Sequence, residues 1–127
     1  MSARRVSGQP LGRHGEAAAA RELRRAGLEI LEVGFRSRLG EIDLIAREGE
    51  TIVFVEVKAR AGLGYGRPAE SVTPAKRERM ARVAQVYLAR RRFHDRVCRF
   101  DVVEVLRSGE TNEIRHIRDA FRLWTTG

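Results

Sequence analysis

The sequence predicts a single α/β domain whose central sheet is covered on both sides. Three observations carry this. The apolar pattern runs helix, three strands, helix, strand, with a further short strand behind it. The middle strands are apolar on both faces in part, with Val53, Val55 and Val57 set against Ile52 and Phe54, which implies layers packed on both sides of the sheet. The 127 residues, 43% of them hydrophobic, are room for one domain and one core.

Residues 1–10 read as a flexible basic arm, leaving 11–127 as the domain. Leu11 to Ala26 is rich in Ala, Glu and Arg and ends at Gly27, a helix with a glycine C-cap. Its apolar stripe is Ala19, Ala20, Leu23 and Ala26, and the spacing puts Glu16 on the same face. Leu28 to Arg36 alternates as a strand with Leu31, Val33 and Phe35 on one side. Glu41 to Arg47 is a second strand. Thr51 to Arg60 is a third, β-branched and joined to the second by a turn at Gly49-Glu50. A glycine-rich loop, Ala61 to Ala69, precedes a helix with Thr73 as N-cap and Pro74 at its first position. Met80, Val83, Ala84, Tyr87 and Leu88 form its buried stripe, and Arg90-Arg91-Arg92 closes it where the dipole favours cations. Arg99 to Leu106 is a fourth strand and Ile114 to Arg118 a short edge strand. Tyr87 reads as core, Trp124 as packing the tail onto the body, and Asp101 as a buried acid paired with an arginine.

Composition narrows the function classes. The net charge of +8 and pI near 11.1 point to a polyanionic partner, nucleic acid first and an anionic membrane surface second. The competing explanation is an ordinary soluble protein rich in arginine. No apolar run approaches the roughly 20 residues that span a bilayer, and the basic N-terminus lacks the apolar stretch of a secretory signal. Cys98 is the only cysteine, so no intramolecular disulfide forms and a reducing cytoplasm fits best. One cysteine and three scattered histidines also exclude a thiol-based tetrahedral metal site. Of 25 basic residues, 23 are arginine, and the two lysines are Lys58 and Lys76. A lysine that survives in such a chain suggests a need for a compact, strongly hydrated ammonium.

The chemistry follows from the hairpin. If the chain turns about Gly49-Glu50, residues whose numbers sum to 99 face each other. Asp43 then opposes Glu56, and Glu41 opposes Lys58. Opposed residues share a face, with Cα atoms roughly 4.5–5.5 Å apart. Glu56 moreover interrupts the apolar run Ile52-Val53-Phe54-Val55, where an uncompensated carboxylate costs several kcal/mol. A hard divalent cation, Mg²⁺ or Mn²⁺, resolves both the burial and the repulsion of the two acids. Lys58 would then orient an attacking water or neutralise charge on the reacting phosphate. Spacing alone equally allows a plain strand ion pair of Lys58 with Glu41 or Glu56. Lys76, in the first turn of the second helix, is placed to clamp a phosphate or to stand solvated. Arg60, Arg67 and the glycine loop could approach a phosphate backbone, or form an ordinary surface loop. His14, next to Glu16, could support the site, although a lone histidine in an N-terminal turn is more often incidental.

The motif Asp43, then Glu56-Val57-Lys58 thirteen residues on, resembles the PD-(D/E)xK nuclease signature. The wider pattern is more specific. It comprises Gly15-Glu16, Gly40-Glu41-Ile42-Asp43-Leu44-Ile45-Ala46, Val53-Phe54-Val55-Glu56-Val57-Lys58-Ala59-Arg60, Gly66, Pro68, Glu70-Ser71-Val72, Lys76 and Arg99-Phe100-Asp101-Val102-Val103. Across nearly the whole chain this resembles the YraN-like family of bacterial proteins, itself similar to archaeal Holliday-junction resolvases. The resemblance implies a restriction-endonuclease-like α/β/α fold, Asp43 and Glu56 as metal ligands, Lys58 as the catalytic lysine, and Glu16 as the helix glutamate that approaches the metal. Two departures stand out. Gln85 and Tyr87 are too close for the Gln-x-x-x-Tyr motif of RecB-type nucleases, and Ile42 occupies the place of the signature's proline. The expected function is Mg²⁺- or Mn²⁺-dependent hydrolysis of phosphodiesters in structured or branched DNA by a cytoplasmic endonuclease. The resolvase similarity adds a homodimer, since symmetric cutting of two strands needs two sites. The alternatives are a module on the same fold that binds nucleic acid without cutting it, and a protein-interaction subunit whose partner supplies the substrate.

Overall fold

The computed structural model describes residues 3–7, 13–61, 72–108 and 111–122. These form strand β1 (Ala3–Ser7), helix α1 (Arg13–Arg25), strands β2 (Glu29–Ser37), β3 (Gly40–Glu48) and β4 (Thr51–Ala61), helix α2 (Pro74–Arg91), and strands β5 (Cys98–Ser108) and β6 (Thr111–Phe121). The strands make one six-stranded sheet in the order β1-β6-β5-β4-β3-β2. Every neighbouring pair is antiparallel except β4 with β5. That parallel pair needs a long crossover, and α2 lies within it.

The two apolar faces of β4 each bury a separate cluster. Ile52 and Phe54 pack with Val83, Ala84 and Tyr87 of α2. Val53 and Val55 pack with Ala19, Ala20 and Leu23 of α1. The result is the α/β/α layering expected, in an element order consistent with a nuclease-like fold. Tyr87 is core, as its stripe implies, with its ring edge-on to Phe35 and Phe54. Both helices end and begin where their caps require. Gly27 sits at φ 98 after α1, and the Thr73 side chain accepts the Lys76 amide hydrogen at 3.2 Å.

Three expectations are corrected. Residues 3–7 are not a free arm: Ala3–Ser7 pair with Arg115 to Thr111 as an outer strand. Strand β6 is therefore not an edge, and it is eleven residues long. In β2, Leu31 and Phe35 do pack on the α2-side core, but Val33 is 58% exposed. A bulge between Ile30 and Glu32 and a left-handed Gly34 (φ 67) rotate Val33 out of the alternation.

Gly15 sets how closely α1 approaches the sheet. A Cβ there would lie 2.9 Å from the Ala59 Cβ, closer than two carbons tolerate. The helix thus crosses β4 directly beside the functional strand segment, and Glu16 follows. Among the described residues no helix is long and apolar enough to cross a membrane.

Candidate metal and phosphate centre

The β3–β4 hairpin has the register that the sequence predicts. Glu48 pairs with Thr51, Ile45 with Phe54 and Leu44 with Val55. Gly49 is at φ 59, with Glu50 outside the left-handed region, as a type II′ turn requires. Beyond Leu44 the ladder stops, because the Asp43 carboxylate replaces a backbone acceptor. Its Oδ2 takes the Val57 amide hydrogen at 2.8 Å. Asp43 nevertheless lies near enough to Glu56 for the two carboxyls to repel each other. Its pKa is pushed up to about 7, first by burial and then by the Glu56 charge, while the Val57 amide opposes the rise.

Glu56 is buried, and both lysines of the chain converge on it. The Lys58 Nζ is 3.3 Å from Glu56 Oε2, and the Lys76 Nζ contacts the same oxygen from α2. Burial and the neighbouring Lys76 ammonium lower the Lys58 pKa. For Lys76, burial alone would lower the pKa, but bonding to Glu56 and Lys58 and the charge of Glu56 and Asp43 raise it. The lysines differ in freedom. Lys58 stands on a central strand and is 19% exposed, whereas Lys76 reaches down from the helix's first turn and is 34% exposed.

The remaining expected residues divide. Glu16 is near enough for its pKa to be raised, by burial and then by the charges of Glu41 and Glu56. It does not join the acid pair, since the described residues contain no group of three or more side chains able to hold one metal ion. Glu41 does not face Lys58. With β3 splayed at Asp43, it turns to its β2 partner and accepts from Arg36 Nε at 2.7 Å. Arg60 lies near the end of β4. Its side chain and that of His14 fall outside the described residues, as do Arg67 and Trp124 entirely.

Glu104 is a buried acid that sequence reasoning misses. It is 1% exposed, pairs in register with Lys58, and has Arg115 at 3.5 Å. The signal that could find it is a carboxylate interrupting Val102-Val103 and Val105, as Glu56 interrupts β4. Asp101 is a buried structural acid as expected, but with more partners than an arginine. It accepts from Arg99 at 2.9 Å and from the Asp119 amide at 2.9 Å, and lies 2.8 Å from His116 Nε2. Its register partner is Val55, so it stands on the face opposite Glu56. A cavity of about 690 Å³ opens at the far end of the sheet, around Thr51, Cys98 and Phe121. Its arginines Arg96, Arg99, Arg118 and Arg122 are tied to Glu50, Glu48, Asp101 and Asp119, which leaves little unpaired charge there.

The family model described as "Uncharacterised protein family UPF0102" matches residues 15–105. The chain is similar to a UPF0102 protein of Rhodococcus opacus (strain B4), 52% identical over 112 residues, covering 87% of this chain and 95% of that protein. It is likewise similar to UPF0102 proteins of Nocardia farcinica (strain IFM 10152), 51% identical with 89% and 90% covered, and of Acetivibrio thermocellus, 52% identical with 87% and 89% covered.

Proposed function

The chain belongs to uncharacterised protein family UPF0102, and we propose that it is a divalent-metal-dependent endonuclease of the PD-(D/E)xK type. Its proposed substrates are nucleic-acid phosphodiesters, with branched or otherwise unusual DNA preferred, in a cytoplasmic setting. The observation that carries this reading is the convergence of Asp43, Glu56 and Lys58 at one end of the β3–β4 pair.

The donor set suits Mg²⁺ or Mn²⁺. It offers two hard carboxylates with no sulfur or imidazole, and Mg²⁺ prefers one or two carboxylates, completing its shell with water and phosphate oxygens. The repulsion that holds Asp43 near neutrality is the kind of strain a divalent cation relieves. When bound, the cation polarises the scissile phosphoryl group and acidifies a water beside it. Asp43 and Glu56 would hold it, with the Val57 amide fixing the orientation of the Asp43 carboxylate. Lys58, half-buried and lowered in pKa, orients the attacking water and answers the charge that grows on the phosphate. Exposed Arg38 and Arg79 flank this end of the fold, where the β2–β3 turn packs on α2 through Gly40 and the Arg79 side chain. With Arg60, Arg67 and Lys76 they supply contacts to a phosphate backbone. Two copies of the chain would supply the two sites that symmetric cutting of a four-way junction requires.

The test is cleavage of single-stranded, duplex, flap and four-way DNA with Mg²⁺ or Mn²⁺, beside Lys58→Ala. The expected result is metal-dependent cutting that the variant loses. Retention of nucleic-acid binding with no cutting by the wild type would replace this reading with that of a binding module.

A further inference from the structure

We infer that Lys76 is an exchangeable counter-ion: its ammonium neutralises Glu56 until a divalent cation takes that carboxylate, and the freed ammonium then turns to the substrate phosphate. The inference rests on the metal-binding role proposed for Asp43 and Glu56.

Four observations carry it. First, Lys76 Nζ contacts Glu56 Oε2, an oxygen that a metal held between the two acids would need. Second, Lys58 already lies 3.3 Å from the same oxygen, so Glu56 carries two ammonium groups within one contact shell. A dication arriving there meets more positive charge than the two carboxylates balance, and one ammonium has to leave. Third, the two lysines are unequally free to do so. Lys58 is fixed on a central strand and less exposed, while Lys76 projects from a helix end and has a flexible four-carbon stem.

Fourth, Lys76 is poorly placed for its own helix. It sits in the first turn of α2, behind Thr73 and Pro74, and that turn contains no acid. The helix dipole disfavours a cation there. Glu56 is the anion that holds it. Once Glu56 is taken, the ammonium needs another anion, and the positive end of the α2 dipole favours a phosphate beside it. Metal loading would thus convert Lys76 from a plug into a phosphate contact, so that the site meets its substrate after it meets its metal.

The chain suits a direct test, since Lys58 and Lys76 are its only lysines. Full-length protein labelled with ¹³C,¹⁵N-lysine gives two side-chain ammonium environments, and Lys76→Arg assigns them by subtraction. On titration with Mg²⁺ alone, the Lys76 signal should pass from restrained to mobile while the Lys58 signal stays restrained. In calorimetric titration with Mn²⁺, Lys76→Met should bind more tightly than wild type, by at least about 5-fold, because no ammonium has to be displaced. Arg82→Met removes a charge from the same helix, one paired with Glu78 rather than Glu56, and it should change the affinity less than about 2-fold. A Lys76 signal that stays restrained at saturating Mg²⁺, a Lys76→Met affinity equal to or weaker than wild type, or an equal gain from Arg82→Met would each overturn the exchange. So would an absence of Mg²⁺ and Mn²⁺ binding. Neither readout depends on cutting. Displacement of Lys76 without cleavage leaves the exchange standing and refutes the nuclease; cleavage without displacement does the reverse.

Discussion

Replacing Asp43 by Asn should make the metal-free protein more stable, and only above mildly acidic pH. The carboxyl is lifted from 3.8 to about 7 in the folded state, by burial and by the facing Glu56. A tenfold change in proton affinity is worth about 1.36 kcal/mol, so the whole rise is on the order of 4 kcal/mol. Asp43 is only partly buried and solvent screens some of this, which leaves roughly 2–4 kcal/mol. The sign follows from proton counting. Between about 3.8 and 7 the folded chain holds more protons than the unfolded one, so wild-type stability falls as pH rises through that window and levels off above it. Asn keeps an oxygen for the Val57 amide and carries no charge, so its curve lacks this slope. Urea denaturation in EDTA at about pH 4, 6 and 8 should show the two proteins alike at the lowest pH and the variant ahead at the highest. Added Mg²⁺ should then raise the wild type at pH 8 far more than the variant, in proportion to binding. A gap that does not change with pH, or a variant less stable at pH 8, would refute the mutual repulsion of Asp43 and Glu56.

Further outcomes follow from the same geometry. Lys58→Arg keeps the charge but exchanges a compact ammonium for a planar fork, and should cost about 10²–10³ in cleavage rate with binding and melting temperature retained; a near-normal rate would reduce Lys58 to a strand ion pair. Affinity for DNA, measured by fluorescence anisotropy, should fall steeply between low and moderate salt, given the net charge of +8. Asp101→Ala should destabilise by about 1–3 kcal/mol in thermal melts, since it leaves the Asp119 amide and half-buried His116 without their acceptor and Arg99 with Glu48 alone. The Asp101 carboxyl is held below its usual range, because the bonds from His116, Arg99 and the Asp119 amide outweigh its burial. Its contribution is therefore present above about pH 4 and lost as pH falls further, the opposite slope to that of Asp43.

Local chemistry explains which features are readable in the sequence. Gly49-Glu50 dictates a two-residue turn, and the turn dictates a sum-99 register that runs to Leu44 and Val55 and leaves Asp43 near Glu56. Thr73-Pro74 and Gly27 fix helix ends by caps that act over three or four residues. What escapes a sequence reading is long-range. Strand β1 has no apolar alternation of its own and exists by pairing with β6. Strand β6 looks short in the sequence because charged residues crowd it. Arg115 lies beside Glu104 and His116 beside Asp101, partners that only the folded sheet supplies. Setting Glu41 against Lys58 extends the hairpin ladder past the point where the Asp43 side chain ends it. The meeting of Lys76 with Glu56 depends on how α2 lies over β4, which no spacing encodes.

The bond from the Val57 amide to Asp43 gives the history of this family a particular reading. On the proposed metal-binding role, an acid that also closes a backbone donor in the sheet is constrained twice, once for chemistry and once for folding. A lineage that abandoned catalysis could not drift to Ala or Gly there without stranding a buried amide hydrogen. It could drift to Asn, which keeps the acceptor and sheds the charge. Retention of Asp43 in a relative is therefore ambiguous evidence of activity, whereas Asn at that position, beside a retained Glu56, would mark descendants that kept the architecture after giving up the reaction. If the family cuts nucleic acid as proposed, Asp-to-Asn exchange at this one site is the substitution by which silent and active branches could be told apart.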